Sequence, residues 1–358
     1  MSLLRRLYNG QADFDWPRAW RRGMVLSGVI IAISLVSLFV RGLNLGIDFE
    51  GGGVWEVPTE TASVEDARDA LRPLGHGNAK IQVVSDASGE RFLRVQVGVE
   101  AVEDSGEITL ALAEVADVDP NEISVNAVGP SWGDEITDKA IRALLLFFLA
   151  VAAYITIRLE WKMAVGALVA VAHDILVSVG VYSIFQFVVT PATVIAFLTI
   201  LGYSLYDTIV VYDKVRENAA RVGVAQKLSY TEMMNLSLNQ VLMRSLNTTI
   251  TSALPVVSLL LVGSLLLGAT VLQEFGLALF VGLLAGAYSS LFVAAPIVCW
   301  LKEREPRNRE FRERRERRSP SAGAAAAAPA PAASAASGDD RPEPVIPPRP
   351  RKKRSRRR

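Results

Sequence analysis

Apolar residues in this 358-residue chain fall in long runs, and polar residues fill the gaps between them. A helix needs ~20 mostly apolar residues to cross a bilayer. Six runs qualify: residues 24–40, 140–158, 163–187, 191–212, 246–267 and 271–301. Between the first two runs the pattern changes. Val95 and Val97 alternate with Arg94 and Gln96, the period of a half-buried strand. Strand-like segments at 53–57, 80–85, 91–97 and 122–128 alternate there with two helices. The first helix opens at Ser63, with Asp66 three residues on as a capping box, and runs to Arg72; the second covers 106–116. The order βαββαβ is that of a ferredoxin-like fold. The predicted architecture is an α-helical polytopic membrane protein with six transmembrane helices, one plus five. An α+β ferredoxin-like domain, residues 41–138, lies between the first and second spans.

Charge placement orients the chain, because Lys and Arg concentrate on the cytoplasmic side of spans. Arg18, Arg21 and Arg22 precede the first span, and Arg158 and Lys162 sit between the second and third. Lys214, Arg216, Arg221 and Lys227 follow the fourth, and a basic tail follows Trp300. The turns at Thr190 and Pro191 and at 267–270 carry no basic residue. Residues 1–23 are therefore expected inside, 41–138 exported, and both termini cytoplasmic. The first run ends at Arg41 and Asn44 without a small-x-small cleavage site, so it reads as a retained anchor. In the cytoplasmic linker 213–245, Met234, Leu238, Val241 and Leu242 recur at helical spacing, which predicts an amphipathic helix lying on the membrane. Residues 303–358 turn charged, then Ala/Pro/Ser-rich, then basic at seven of the eight positions 351–358. Such a composition builds no core and reads as a disordered tail.

Soluble catalysis finds no support. There is one cysteine, Cys299, and two histidines, with no P-loop, nucleophile triad or zinc motif. No cofactor, no metal and no enzymatic activity are expected. The candidate chemistry lies inside the membrane. Asp207 sits five residues from the inner end of 191–212, or ~8 Å at helical rise. A charge in a span costs roughly 2.5–3.5 kcal/mol at its centre, and Asp is too short to snorkel far. Such an acid can take and release a proton. Tyr203, Ser204 and Thr208 lie near it on the helix and can hydrogen-bond a carboxyl in either protonation state. Arg244 opens the fifth span, in a polar stripe with Gln240, Asn247, Thr248 and Thr251 that should face the bundle interior or water. Arg244 is the expected partner of Asp207; the alternative is an anchor to lipid phosphates. Asp174, mid-way along the third span beside His173, is either a second proton site or a permanently protonated hydrogen-bonding group. Gly282 and Gly286 form a small-residue contact face, and Pro255 is a kink candidate.

Four segments together resemble the SecF family of protein translocase subunits. They are Gly46-Ile47-Asp48-Phe49-Glu50-Gly51-Gly52, Ala172-His173-Asp174, residues 202–218, and Ser237-Leu238-Asn239-Gln240 through Arg244 to Thr248. The resemblance covers roughly residues 14–302. Tyr206 stands where the family commonly has Asn, and Glu50 where it commonly has Thr. The resemblance implies a related six-span partner, SecD, in an arrangement similar to RND exporters. It also implies work beside the SecYEG channel and the SecA motor, with a YidC-like insertase as a further neighbour and unfolded exported polypeptide as cargo. The proton gradient across the bacterial plasma membrane would drive it, with sodium as the alternative coupling ion. In that scheme Asp207 is the relay acid and Arg244 controls its charge. Two other readings are an RND-like transporter half for another cargo and a non-catalytic scaffold for the translocon. The basic tail could touch anionic lipid or ribosomal RNA, at ~1 kcal/mol per basic residue near an anionic surface. No other nucleic-acid contact is expected.

Overall fold

The computed structural model describes residues 14–85, 91–221, 228–266, 270–306, 308 and 310. Lys227, residues 267–269 of an expected outer turn, and the basic tail beyond Glu310 lie outside the described residues. Among the described residues, six helices are long and apolar enough to cross a membrane. The first, α1 (Trp16–Arg41), starts eight residues before the apolar run. Asp15 caps it by accepting from the Arg18 N–H, and Pro17 fits the first turn, so the start signal is polar and precedes the hydrophobic stretch. Gly42, at φ 66°, ends the helix.

A two-residue strand β1 (Asn44–Leu45) follows, then a single turn α2 (Ile47–Glu50) and β2 (Gly52–Pro58). Helix α3 (Val64–Leu71) opens with the Ser63–Asp66 capping box. The strands β3 (Lys80–Ser85) and β4 (Arg91–Val97) come next, then α4 (Ser105–Ala116) and β5 (Ser124–Val128). The four longer strands form one antiparallel sheet in the order β3-β4-β2-β5. The period-2 pattern works as chemistry demands. Leu93, Val95 and Val97 turn to a core shared with Trp55, Leu71, Ile108 and Leu112, while Arg94 and Gln96 turn to the other face. Trp55 is fully buried, and its indole N–H donates to Thr109 Oγ1 at 2.9 Å. Trp55→Ala is expected to remove about 3–5 kcal/mol, a large share of what holds so small a domain together. Protease resistance and thermal unfolding of the full chain should both show it.

The remaining spans are α5 (Pro130–Arg158), α6 (Trp161–Phe185), α7 (Pro191–Arg221), α8 (Tyr230–Ser258) and the pair α9 (Thr270–Ser289) and α10 (Ala295–Glu303). A two-residue strand β6 (Val188–Val189), in the turn between α6 and α7, pairs in parallel with β1 and ties the exit of α1 to the bundle. The expected surface linker 213–245 takes a different form. Residues 213–221 complete α7, and residues 230–245 are the first half of α8, opened by a Ser229–Glu232 capping box. Met234, Leu238, Val241 and Leu242 do form an apolar face, but it is buried in the bundle core with Val211, Tyr212 and Val298 rather than laid on a membrane surface. Pro255 has no N–H to give to the carbonyl four residues before it, and from Leu259 the α-helical bonding of α8 gives way to a π-helical stretch, Leu259–Leu266.

Candidate functional site

Two carboxylates are buried in the bundle. Asp174 on α6 is 1% exposed and Asp207 on α7 is 5% exposed. Each is held by hydroxyls. The Ser204 and Ser289 hydroxyls donate to Asp174 Oδ2 at 2.5 and 2.9 Å. The Ser245 and Ser290 hydroxyls donate to Asp207 Oδ1 and Oδ2 at 2.7 and 2.6 Å. Ser289 and Ser290 are chain neighbours, so one backbone step on the last span links the two acids. Consecutive residues on an α-helix point ~100° apart. Here the α-helix passes into a π-helical stretch, Ser290–Ala294, at that step. π-bulges of this kind cluster at functional sites.

Close approach of the helices makes this possible. A Cβ built on Gly286 would lie 2.7 Å from Ser204 Cβ, and one on Gly282 would lie 2.3 Å from Ile200 Cγ2. The glycine face of α9 therefore seats directly on α7 and carries its two serines to the acids. Thr208, also buried, donates to the Ser204 carbonyl and braces that turn of α7. His173 Nδ1 lies 3.1 Å from Asp174 Oδ1, and its ring stacks on Tyr288 at 6.0 Å between centroids. The Tyr288 hydroxyl donates to the Gly23 carbonyl, which connects this layer to α1.

The expected Asp207–Arg244 pair is not made. Among the described residues no Lys or Arg lies within ion-pair distance of Asp207 or Asp174. Arg244 is exposed, and its guanidinium donates to the Tyr206 hydroxyl at 3.4 Å. The residue beside it, Ser245, faces Asp207 instead; one helix position, ~100° of rotation, separates prediction from structure. The rest of the stripe turns outward with Arg244. Asn247 and Thr251 are exposed, and Thr248 is half-buried with its hydroxyl bonded to the Arg244 carbonyl. Gln240, also exposed, accepts from Asn218. Tyr203 packs against an apolar cluster of Ile200, Val256 and Leu283, away from the acids. Ser245, Ser289 and Ser290 escaped sequence reasoning, which ranked residues by charge. The available signal was a pair of adjacent hydroxyls, Ser289 and Ser290, deep in the last span, far from its polar Gln273 and Glu274.

Chemically, a serine hydroxyl can donate to a carboxylate or accept from a carboxylic acid. Each acid can thus change protonation state without losing its partners, as a proton-carrying group requires.

Known proteins resemble this chain over most of its length. The family described as protein export membrane protein SecD/SecF, C-terminal, matches residues 108–304, and the SecD/SecF GG motif matches residues 36–54. Protein translocase subunit SecF of Streptomyces coelicolor is 41% identical over 313 residues, covering 87% of this chain and 83% of the relative. The SecF of Rhodothermus marinus is 34% identical over 83% of this chain and 96% of its own length. Among solved structures, SecDF of Thermus thermophilus, a translocon-associated membrane protein, aligns with a TM-score of 0.72 at 31% identity. The alignment covers 85% of this chain and 40% of that one. A second SecDF structure, in a super-membrane-facing form, aligns over the same share with a TM-score of 0.59.

Proposed function

The chain belongs to the SecF family of protein translocase subunits, and on that footing we propose that Asp174 and Asp207 carry the protons that power its work in export. It is a multi-pass protein of the bacterial plasma membrane and an accessory subunit of the Sec export machinery. The observation that carries the proton reading is the joint hold of Ser289 and Ser290 on two buried acids that, among the described residues, have no Lys or Arg partner. Protonation and release at either acid changes the hydrogen bonds that seat the last span on α6 and α7. One charge moved across 100 mV is worth roughly 2.3 kcal/mol, about a fifty-fold bias on a conformational equilibrium.

The partner is SecD, and the outward stripe supports where it docks. Arg244, Asn247 and Thr251 on α8, beside Tyr206 on α7, put a guanidinium and polar groups on a face that would otherwise meet lipid tails. Polar groups in spans occupy protein interfaces or water, so a second subunit covers this face. Arg244 then reaches the coupling chemistry through that interface rather than through Asp207. The exported domain is ferredoxin-like, a reading supported by its βαββαβ order and its β3-β4-β2-β5 sheet. The Lys and Arg placement supports cytoplasmic termini and domain boundaries at 41–138 and 139–302. SecYEG, SecA and unfolded polypeptide complete the assembly, with a YidC-like insertase beside it.

The test is the ion dependence of export in membrane vesicles carrying the SecD partner. The stimulation that this chain gives should vanish when the pH gradient is collapsed and survive removal of sodium. Stimulation that persists with the gradient collapsed in sodium-free medium defeats the reading; loss on sodium removal alone assigns the site to Na⁺.

A further inference from the structure

The polar face of the exported sheet lies over the outer end of the bundle, and the two are joined by charge. Arg94 on β4 reaches Glu274 on α9 at 3.5 Å and Glu56 on β2 at 4.0 Å. Gln96 donates to the Leu45 carbonyl, and Lys80 on β3 donates to Asn44. Between sheet and bundle lies a cavity of about 440 Å³, walled by Glu56, Arg94 and Gln96 above and by Asp48, Thr190 and Glu274 below. Arg94 is the single cation on that wall among the described residues, against three carboxylates, so two negative charges are uncompensated when all are ionised. The next charges out, Lys80 and Glu50, lie 3.8 Å apart and offset each other.

Bringing the sheet down onto the bundle crowds these carboxylates together and removes water from them. Both effects oppose the ionised form. Burial pushes the Asp48 carboxyl up from its ordinary value, and the opposing pulls of its backbone hydrogen bond and of Arg94 are smaller. The sign follows from linkage. An acid that ionises less readily in the closed arrangement than in water binds more protons when closed. Closure is favoured at low pH, and that advantage fades as pH rises through the raised value.

We propose that this cluster is a proton-sensitive joint, with Arg94 as its pin, which holds the exported sheet on the bundle when the outer medium is acidic and lets it lift when the carboxylates ionise. The proposal rests on the exported orientation given above and is independent of Asp207. It differs from a plain ion-pair latch, which acid would open.

Spin labels at Leu110→Cys on α4 and Phe185→Cys at the end of α6, both exposed positions, report the separation in the full chain in lipid nanodiscs. Cys299 is buried and is replaced by Ser in all samples. The wild type should show one short-distance population at the lower pH, where the carboxylates are protonated, and a second, longer one growing severalfold at the higher pH, where they are ionised. Arg94→Gln leaves three carboxylates without a cation, so the long population should dominate at the higher pH and be rescued by acid. Glu274→Gln leaves Arg94 with Glu56 and Asp48, so the short population should persist at the higher pH. Distances that ignore pH in the wild type overturn the joint. So does Glu274→Gln opening the structure at both pH values, since that is the signature of the simple latch.

Discussion

Asp207→Asn should abolish the proton-driven component of export while leaving the fold intact. Asparagine has the shape of aspartate. Its carbonyl can still accept from one of Ser245 and Ser290, and its amide can donate to the other, since a serine hydroxyl accepts as well as donates. Only the ionisable proton is lost. The fall is bounded by what one charge draws from the membrane potential, ~2.3 kcal/mol per 100 mV or about fifty-fold. Export in vesicles should therefore drop to the level seen without the chain, with thermal stability changed by less than about 1 kcal/mol. Asp207→Ala is a poorer probe, because it leaves the buried Ser245 hydroxyl without its acceptor, at about 1–3 kcal/mol, while Ser290 falls back on the Ala287 carbonyl, and so mixes a folding defect with the chemical one. A gradient-dependent stimulation that survives Asp207→Asn removes Asp207 from the relay.

Burial depth was legible in the sequence; helix rotation was not. Asp174 and Asp207 stand out by their cost within apolar runs, and the structure buries both. Val95 and Val97 announce their strand by alternation, and Ser63 with Asp66 announces a helix start. These are local signals, each set by one element's own period or cap. Which residue of α8 faces α7 is not local. Arg244 and Ser245 are one step apart, and the choice between them is made by how α8 packs against α7 and α9. Charge drew attention to Arg244, whereas the small hydroxyl fits the tight interior and satisfies the acid without a second buried charge. The Met234–Leu238 face failed for a related reason. Its spacing fits a surface helix and a core helix equally, and only the neighbours that bury it decide.

Gly202, in the motif around Asp207, and the glycines of the last span differ sharply in what surrounds them. A Cβ on Gly202 meets nothing within 4 Å, so Gly202→Ala should be neutral or raise helix stability by up to about 1 kcal/mol. Gly286 is the opposite case. Its added Cβ would press on Ser204 Cβ at 2.7 Å and on Ser204 Cα at 3.2 Å, where no flexible side-chain end can yield. Gly276 faces only the movable tips of Leu260 and Leu259 and should tolerate Ala better. Gly286→Val must push α9 off α7, an overpacking cost of about 1–3 kcal/mol. Ser289 and Ser290 follow immediately and would be drawn away from Asp174 and Asp207 together, while Ser204, the other donor to Asp174, takes the direct clash. Export should fall as far as in Asp207→Asn, but with a lowered melting temperature that Asp207→Asn does not show. Full export activity in Gly286→Val would mean that the serine pair is not what couples the acids to the last span.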